Sequence, residues 1–199
     1  MSREKKIDDV SIVVNAAIQI IEELGYDKLS TRRISARLQV SPMTLYNYFK
    51  NRDAILKDVM KQGFDELRTG LQEKMEGSGP ASVRNTLRQY LVLSDHMLAF
   101  GMARPNLYRF LFGSAVAPLI AGGDIAERYR DLSLTLMPRI HDESRKQDIL
   151  NDIYMFLVLM NSLVSNVLDG RIGMTAERYP ALIGRAYDGL LRRDEEYIR

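Results

Sequence analysis

The chain has 199 residues, enough to bury a sizeable core without covalent staples. It contains no cysteine, which excludes disulfide frameworks, cysteine zinc sites and thiol nucleophiles, and makes a reducing cytoplasm the expected compartment. The formal net charge of +2 conceals an asymmetry: residues 1–52 carry nine Lys or Arg against six Asp or Glu, and the remainder is slightly acidic.

The opening Met1-Ser2-Arg3-Glu4-Lys5-Lys6 runs into Asp8 and Asp9, so no signal peptide is expected. Val10, Val13, Val14, Ala17, Ile18, Ile21 and Leu24 recur at spacings of three and four, which writes an apolar stripe on a first helix that Gly25 can end. Ser30 is an N-cap for a short second helix with Ile34 and Leu38 on one face. Gln39, Val40 and Ser41 intervene before Pro42, which suits the first position of a helix because it has no amide hydrogen to leave unpaired. Ser41 caps this third helix, predicted to reach Tyr48. Asn51 then caps a fourth, with Asp53 favourably placed in its first turn, running to about Met75.

Gly77-Ser78-Gly79-Pro80 breaks the pattern. Beyond it, Val83, Leu87, Leu91, Ser94 and Leu98 mark one face of a fifth helix, and Pro105 to Phe112 reads as a short helix closed by Gly113. Pro118 and Pro138 interrupt the next region. Helices near Asp124 to Met137, Arg145 to Leu168 and Pro180 to Arg193 complete a set of about nine, with strand signals missing, so the fold class is all-α. The longest apolar run, Ile153 to Met160, falls well below the roughly 18 residues of a membrane span, and no membrane partner is expected.

Two short helices joined by a three-residue turn form a helix-turn-helix, whose second helix reads base edges in the major groove. The setting is basic: Lys28, Arg32, Arg33, Arg37, Lys50 and Arg52 occur with no acid between positions 28 and 52. Such a patch concentrates polyanions, although on charge alone an ordinary solvated face fits as well. The stretch from Leu29 to Arg52, with Gly25-Tyr26 at its entry, Thr44-Leu45-Tyr46 at its core and Tyr48-Phe49 after it, resembles the DNA-binding signature of the tetracycline-repressor (TetR) family across residues 10 to 56.

That resemblance implies a transcription regulator built from a three-helix DNA-binding domain, residues 1–52, and a helical ligand-binding and dimerisation domain, residues 53–199, with 53–75 as the connecting helix. The expected DNA-contact set is Thr31, Arg32, Arg33, Ser41, Pro42, Met43, Thr44, Tyr46, Asn47, Tyr48, Lys50 and Arg52. Met43 and Thr44 lie in the first turn of the third helix, where a hydroxyl can bond a base edge and a methyl can touch thymine; simple exposure is the alternative. Tyr46 and Tyr48 match family positions that touch phosphates, against the alternative of a packed ring. Thr31 opens the second helix, where amides and a hydroxyl can hold a phosphate. Arg32 matches a position that sometimes reaches a base, while Arg33, Lys50 and Arg52 are expected to neutralise phosphates. Val40, Leu45 and Phe49 are expected in the core. Two positions depart from the family pattern: Gln39 replaces the usual turn glycine and Ser35 the usual alanine.

In the C-terminal part, the helix around Ile153 to Met160 is apolar nearly all round and must be covered on more than one side. A two-fold, four-helix homodimer interface is expected from Tyr154, Leu157, Leu163, Val164, Ile183, Ala186 and Leu190; a larger monomeric core is the alternative. A dimer implies a palindromic double-stranded DNA operator. The segment Arg104 to Gly113 resembles a C-terminal subtype of TetR-like regulators. His96, Phe100, Tyr108, Phe112, Tyr154 and Met155 are the candidates to line a small-molecule effector pocket. His96 stands opposite the Leu87 stripe and is expected to be exposed; burial beside Asp95 or Arg104 would make it a polar ligand contact. No enzyme is expected, since there is no phosphate-binding glycine loop or nucleophile elbow, and the two histidines, His96 and His141, form no metal-spaced pair. No metal, cofactor or catalytic residue is assigned. The alternative function is a dimeric DNA-binding regulator with no effector.

Overall fold

A computed structural model of the protein describes residues 9–76, 87–113 and 142–197. Among these there are eight α-helices, three 3-10 turns and no strand. The predicted helix near Asp124 to Met137, the Gly77–Pro80 break, Val83, Pro118, Pro138 and His141 lie outside the described residues.

Helix α1 is Val10–Leu24, begun by Asp9, whose carboxylate accepts the Ser11 amide at 2.8 Å, and ended at Gly25, whose φ of 85° is costly for any side chain. Most of its stripe is core: Val13, Val14, Ala17, Ile18 and Ile21 are buried, while Val10 and Leu24 at its two ends are exposed. Helix α2, Thr31–Leu38, is capped by Ser30 as predicted, its Oγ accepting the Arg33 amide at 3.2 Å. Helix α3, Pro42–Tyr46, is capped by Ser41 and ends two residues earlier than predicted, although the Tyr48 and Phe49 amides still reach the Leu45 carbonyl. Helix α4 is Arg52–Glu76, with Asn51 Oδ1 accepting the Ala54 amide at 2.9 Å. Helices α5, Gln89–Ala103, and α6, Pro105–Phe112, follow; α7 is Lys146–Asp169 and α8 is Tyr179–Leu190.

The chain divides into two compact units, one of whose boundaries falls inside α4 at 66/67. The first unit comprises α1, α2, α3, the start of α4 and the returning helix α6. Leu107, Tyr108, Phe110 and Leu111 of α6 are buried, Phe110 stacks near Tyr26 with ring centroids 5.7 Å apart, and Phe112 meets Phe64 edge-on at 5.8 Å. Gly63 permits the close approach of α6 to α4, because a Cβ there would lie 3.0 Å from the Leu111 methyls.

The second unit packs α5, α7 and α8 with the end of α4. Tyr90 and Phe156 meet edge to face at 6.1 Å, and the Tyr179 hydroxyl donates to the Ser94 carbonyl at 3.1 Å. Helix α7 is long and apolar enough by length and composition to cross a membrane, a property it shares with core helices of soluble folds. Ile149, Ile153, Phe156, Met160 and Val164 on one side of it are buried.

His96 is a correction to the sequence reading. It is buried, 8% exposed, with Nε2 donating to the Leu67 carbonyl at 2.9 Å and Nδ1 without a partner among the described residues. Helix α5 carries apolar residues on most sides, so the stripe of Leu87, Leu91, Ser94 and Leu98 fixes its inward face only in part: Leu87 and Ser94 are buried together with Tyr90, Leu93, Met97 and Phe100, while Leu91 and Leu98 are half-buried. Gly70 makes room for the imidazole, since a Cβ there would lie 2.9 Å from its Cε1.

Candidate nucleic-acid interface

The turn between α2 and α3 is set by Gln39 in a left-handed conformation, φ 56° and ψ 41°. The Val40 amide reaches back to the Ser35 carbonyl at 3.0 Å and the Gln39 amide to Ala36 at 3.3 Å, closing α2 with the bond pair that usually surrounds a glycine. The turn geometry is therefore kept at a cost of about 1 kcal/mol, which the two bonds and the burial of Ile34 and Leu45 on either side offset. Ser35 is buried and its hydroxyl donates to the Arg32 carbonyl at 3.0 Å, so the change from a small apolar residue adds no unpaired group. Val40 is only half-buried, while Leu45 and Phe49 are in the core.

On α3 the exposed residues are Pro42, Met43, Tyr46 and, just after it, Asn47; Ser41 before it and Lys50 beyond are exposed too. Met43 is 69% exposed, an unusual position for an apolar side chain in the first turn of a five-residue helix. The Tyr46 hydroxyl lies 3.4 Å from the Thr31 hydroxyl, bringing the outer edge of α3 to the first turn of α2, where Arg32 and Arg33 are exposed. Tyr48 is half-buried.

Two members of the expected set point elsewhere. Thr44 is 5% exposed and its hydroxyl is 2.9 Å from that of Ser41, so it serves the cap of α3 and is withdrawn from the surface. Arg52 turns inward: Nε donates to the Leu29 carbonyl at 2.9 Å and Nη2 to the Tyr26 carbonyl at 3.1 Å, tying the start of α4 to the turn after α1. The basic stretch is also less free than its composition suggests. Arg37 forks onto Glu23, whose carboxyl it holds below the usual range through that hydrogen bond, and Arg33 spends one nitrogen on the Lys28 carbonyl at 3.1 Å.

Of the expected effector residues, Tyr108 is fully buried and Phe112 half-buried in the first unit, Phe100 and His96 are buried in the second, and Tyr154 and Met155 of the second are 68% and 52% exposed. Among the dimer candidates, Leu163, Val164 and Ile183 are buried in the unit's own core, whereas Tyr154 is exposed and Leu157, Ala186 and Leu190 are half-buried. Sequence reasoning missed Val158 and Leu159, 52% and 39% exposed, which continue the outward face of α7 from Tyr154 and Met155. Their spacing of three and four was the available signal, hidden because the whole run is apolar.

A family model described as bacterial regulatory proteins, tetR family, matches residues 13–59, the span of α1 to the start of α4. The chain is 29% identical over 91 residues to a fatty acid metabolism regulator protein of Bacillus subtilis (strain 168), covering 44% of this chain and 47% of that one. It is 38% identical over 48 residues to the tetracycline repressor protein class G of Vibrio anguillarum, covering 24% and 23%. The chain thus spans less than half the length of either relative. In fold it is similar to a TetR family transcription regulator from Marinobacter aquaeolei VT8, with a TM-score of 0.65 at 18% identity over 90% of this chain and 94% of that one.

Proposed function

We propose that the chain, whose residues 13–59 match the model of the tetR family of bacterial regulatory proteins, is a DNA-binding transcription regulator, a homodimeric, cytoplasmic repressor released from a palindromic operator by a small molecule. The carrying observation is the exposed surface made by Met43, Tyr46 and Asn47 with Thr31, Arg32 and Arg33. Met43 and Asn47 are the base-reading residues: a thioether and methyl for thymine and an amide for base edges. Thr31, Tyr46, Arg32, Arg33 and Lys50 hold phosphates, with Ser41 and Pro42 bringing the backbone close and Tyr48 at the margin. Thr44 and Arg52 support this surface from behind.

Dimerisation uses the outward face of α7, where Tyr154, Met155, Val158 and Leu159 leave adjacent apolar side chains in solvent. Leu157, Ala186 and Leu190 lie at its margin. Sedimentation equilibrium should give a dimer for the parent and a monomer for Val158→Asp; a monomeric parent at micromolar concentration would contradict the assembly.

Repression is favoured over activation because occluding a promoter requires no further contact. Release by an effector draws support from the tetracycline repressor relative, named for a small molecule. An effector acts only by binding the DNA-competent and released states unequally. Operator affinity measured with and without a ligand extracted from the protein's native cells tests this half: a weakening is expected, and equal affinity would select the effector-free regulator.

A further inference from the structure

Helix α1 ends in two consecutive acids with different partners. Glu22 accepts from Arg104 Nε at 2.8 Å, and the same guanidinium is ion-paired with Glu66 of α4. Glu23 is held by the fork of Arg37 on α2. The backbone carbonyl of Glu22, in the last turn of α1, accepts from Asn106 Nδ2 at 2.8 Å, so the first turn of α6 caps the end of α1 with a side-chain amide. An ion-pair chain therefore runs Glu66, Arg104, Glu22, then through one peptide to Glu23 and Arg37, entirely within the first compact unit.

The location of its two outer members gives this chain meaning. Glu66 is the last residue before the backbone leaves the unit, and Arg104 is the first after it returns. One ion pair thus joins the exit to the re-entry, and the arginine that makes it also grips α1. Arg104 and Glu22 are 26% and 23% exposed, so water and salt weaken their pairing less than that of an open surface pair. Only an arginine serves here, because one planar fork must reach two carboxylates on different helices; an ammonium is a single point charge.

We propose that Arg104 is a positioning residue for DNA reading: through Glu22 and Glu66 it fixes α1 and α4 at the chain's re-entry point, and through Glu23 and Arg37 that constraint reaches the helix-turn-helix. Arg104 thereby sets the discrimination between specific and non-specific DNA without touching DNA. This rests on the DNA-reading assignment above. It goes further in naming the residue by which the segment that re-enters the first unit positions the reading surface. Non-specific binding, carried by phosphate charge, does not need that precision.

The test uses the full-length protein, a duplex selected by the parent from a random library, and a scrambled duplex. Arg104→Gln should lower the ratio of specific to non-specific affinity roughly tenfold, by weakening the selected site alone. Arg104→Lys should recover little of it. Glu22→Gln should act in the same direction, and the double variant should be less than additive. Amide hydrogen exchange of residues 20–25 should quicken in Arg104→Gln. A role in stability alone would lower the melting temperature and leave the ratio unchanged below it; that result overturns the proposal. A parent that enriches no sequence would sink the DNA-reading assignment and this role with it, whereas enrichment by the parent with an unaltered ratio in both single variants sinks the role of Arg104 alone.

Discussion

The hydroxyls of Thr31 and Tyr46 converge to 3.4 Å across the helix-turn-helix, one from the first turn of α2 and one from the last residue of α3. Each hydroxyl has one hydrogen, so when one donates to the other and fixes the phenol, the second remains to donate to a phosphate oxygen. Tyr46→Phe and Thr31→Ala should each weaken DNA binding by roughly tenfold or more, the worth of one hydrogen bond to a charged group, for specific and non-specific duplexes alike. Both side chains lie at the surface, so circular dichroism should be unchanged; fluorescence anisotropy gives the affinities.

Met43 and Thr44 are neighbours with opposite environments, and their variants should separate accordingly. Met43→Ala should relax sequence preference, costing the selected site roughly tenfold while leaving scrambled DNA unaffected. Thr44→Val breaks the hydroxyl pair with Ser41 in a buried place, so it should cost about 1 kcal/mol of stability and show in urea unfolding. Its sequence preference should be that of the parent.

Gln39 holds a left-handed backbone that glycine adopts without strain. Gln39→Gly should raise stability by up to about 1 kcal/mol at unchanged fold, the gain reduced by the greater freedom of glycine in the unfolded chain. Thermal unfolding gives the sign; a lower melting temperature would mean that the turn carries no strain.

His96 has its pKa lowered from 6.5, first by loss of hydration on burial, opposed by its bond to the Leu67 carbonyl and aided by the charge of Lys74. Between the lowered folded value and 6.5 the unfolded chain binds more protons, so stability rises with pH across that window. Acidification below 6.5 should destabilise the parent progressively, and His96→Asn should flatten that part of the profile. An unchanged slope would assign it to other groups.

Much of the reading surface was legible because local chemistry decides it. Ser30, Ser41, Asn51 and Pro42 mark helix starts through groups that reach at most three residues, and each stands where the sequence placed it. The inward partners of Thr44 and Arg52, the Ser41 hydroxyl and the carbonyls of Leu29 and Tyr26, are not legible from residue type, because they are a matter of how the chain folds back. The same limit hid Arg104, whose partners Glu22 and Glu66 are 82 and 38 residues away. In α5 and α7, apolar residues on most sides blur the phase, which is why His96 was turned outward and Val158 overlooked.

The central claim is that the surface centred on Met43 and Tyr46 reads DNA sequence, and selection from a random duplex library tests it most directly. The enriched duplex should be an inverted repeat with half-sites about 10 base pairs apart, or a multiple of that, bound with an affinity that falls linearly with salt on logarithmic axes. Failure to enrich any sequence, or equal affinity for the selected and scrambled duplexes, would contradict the account.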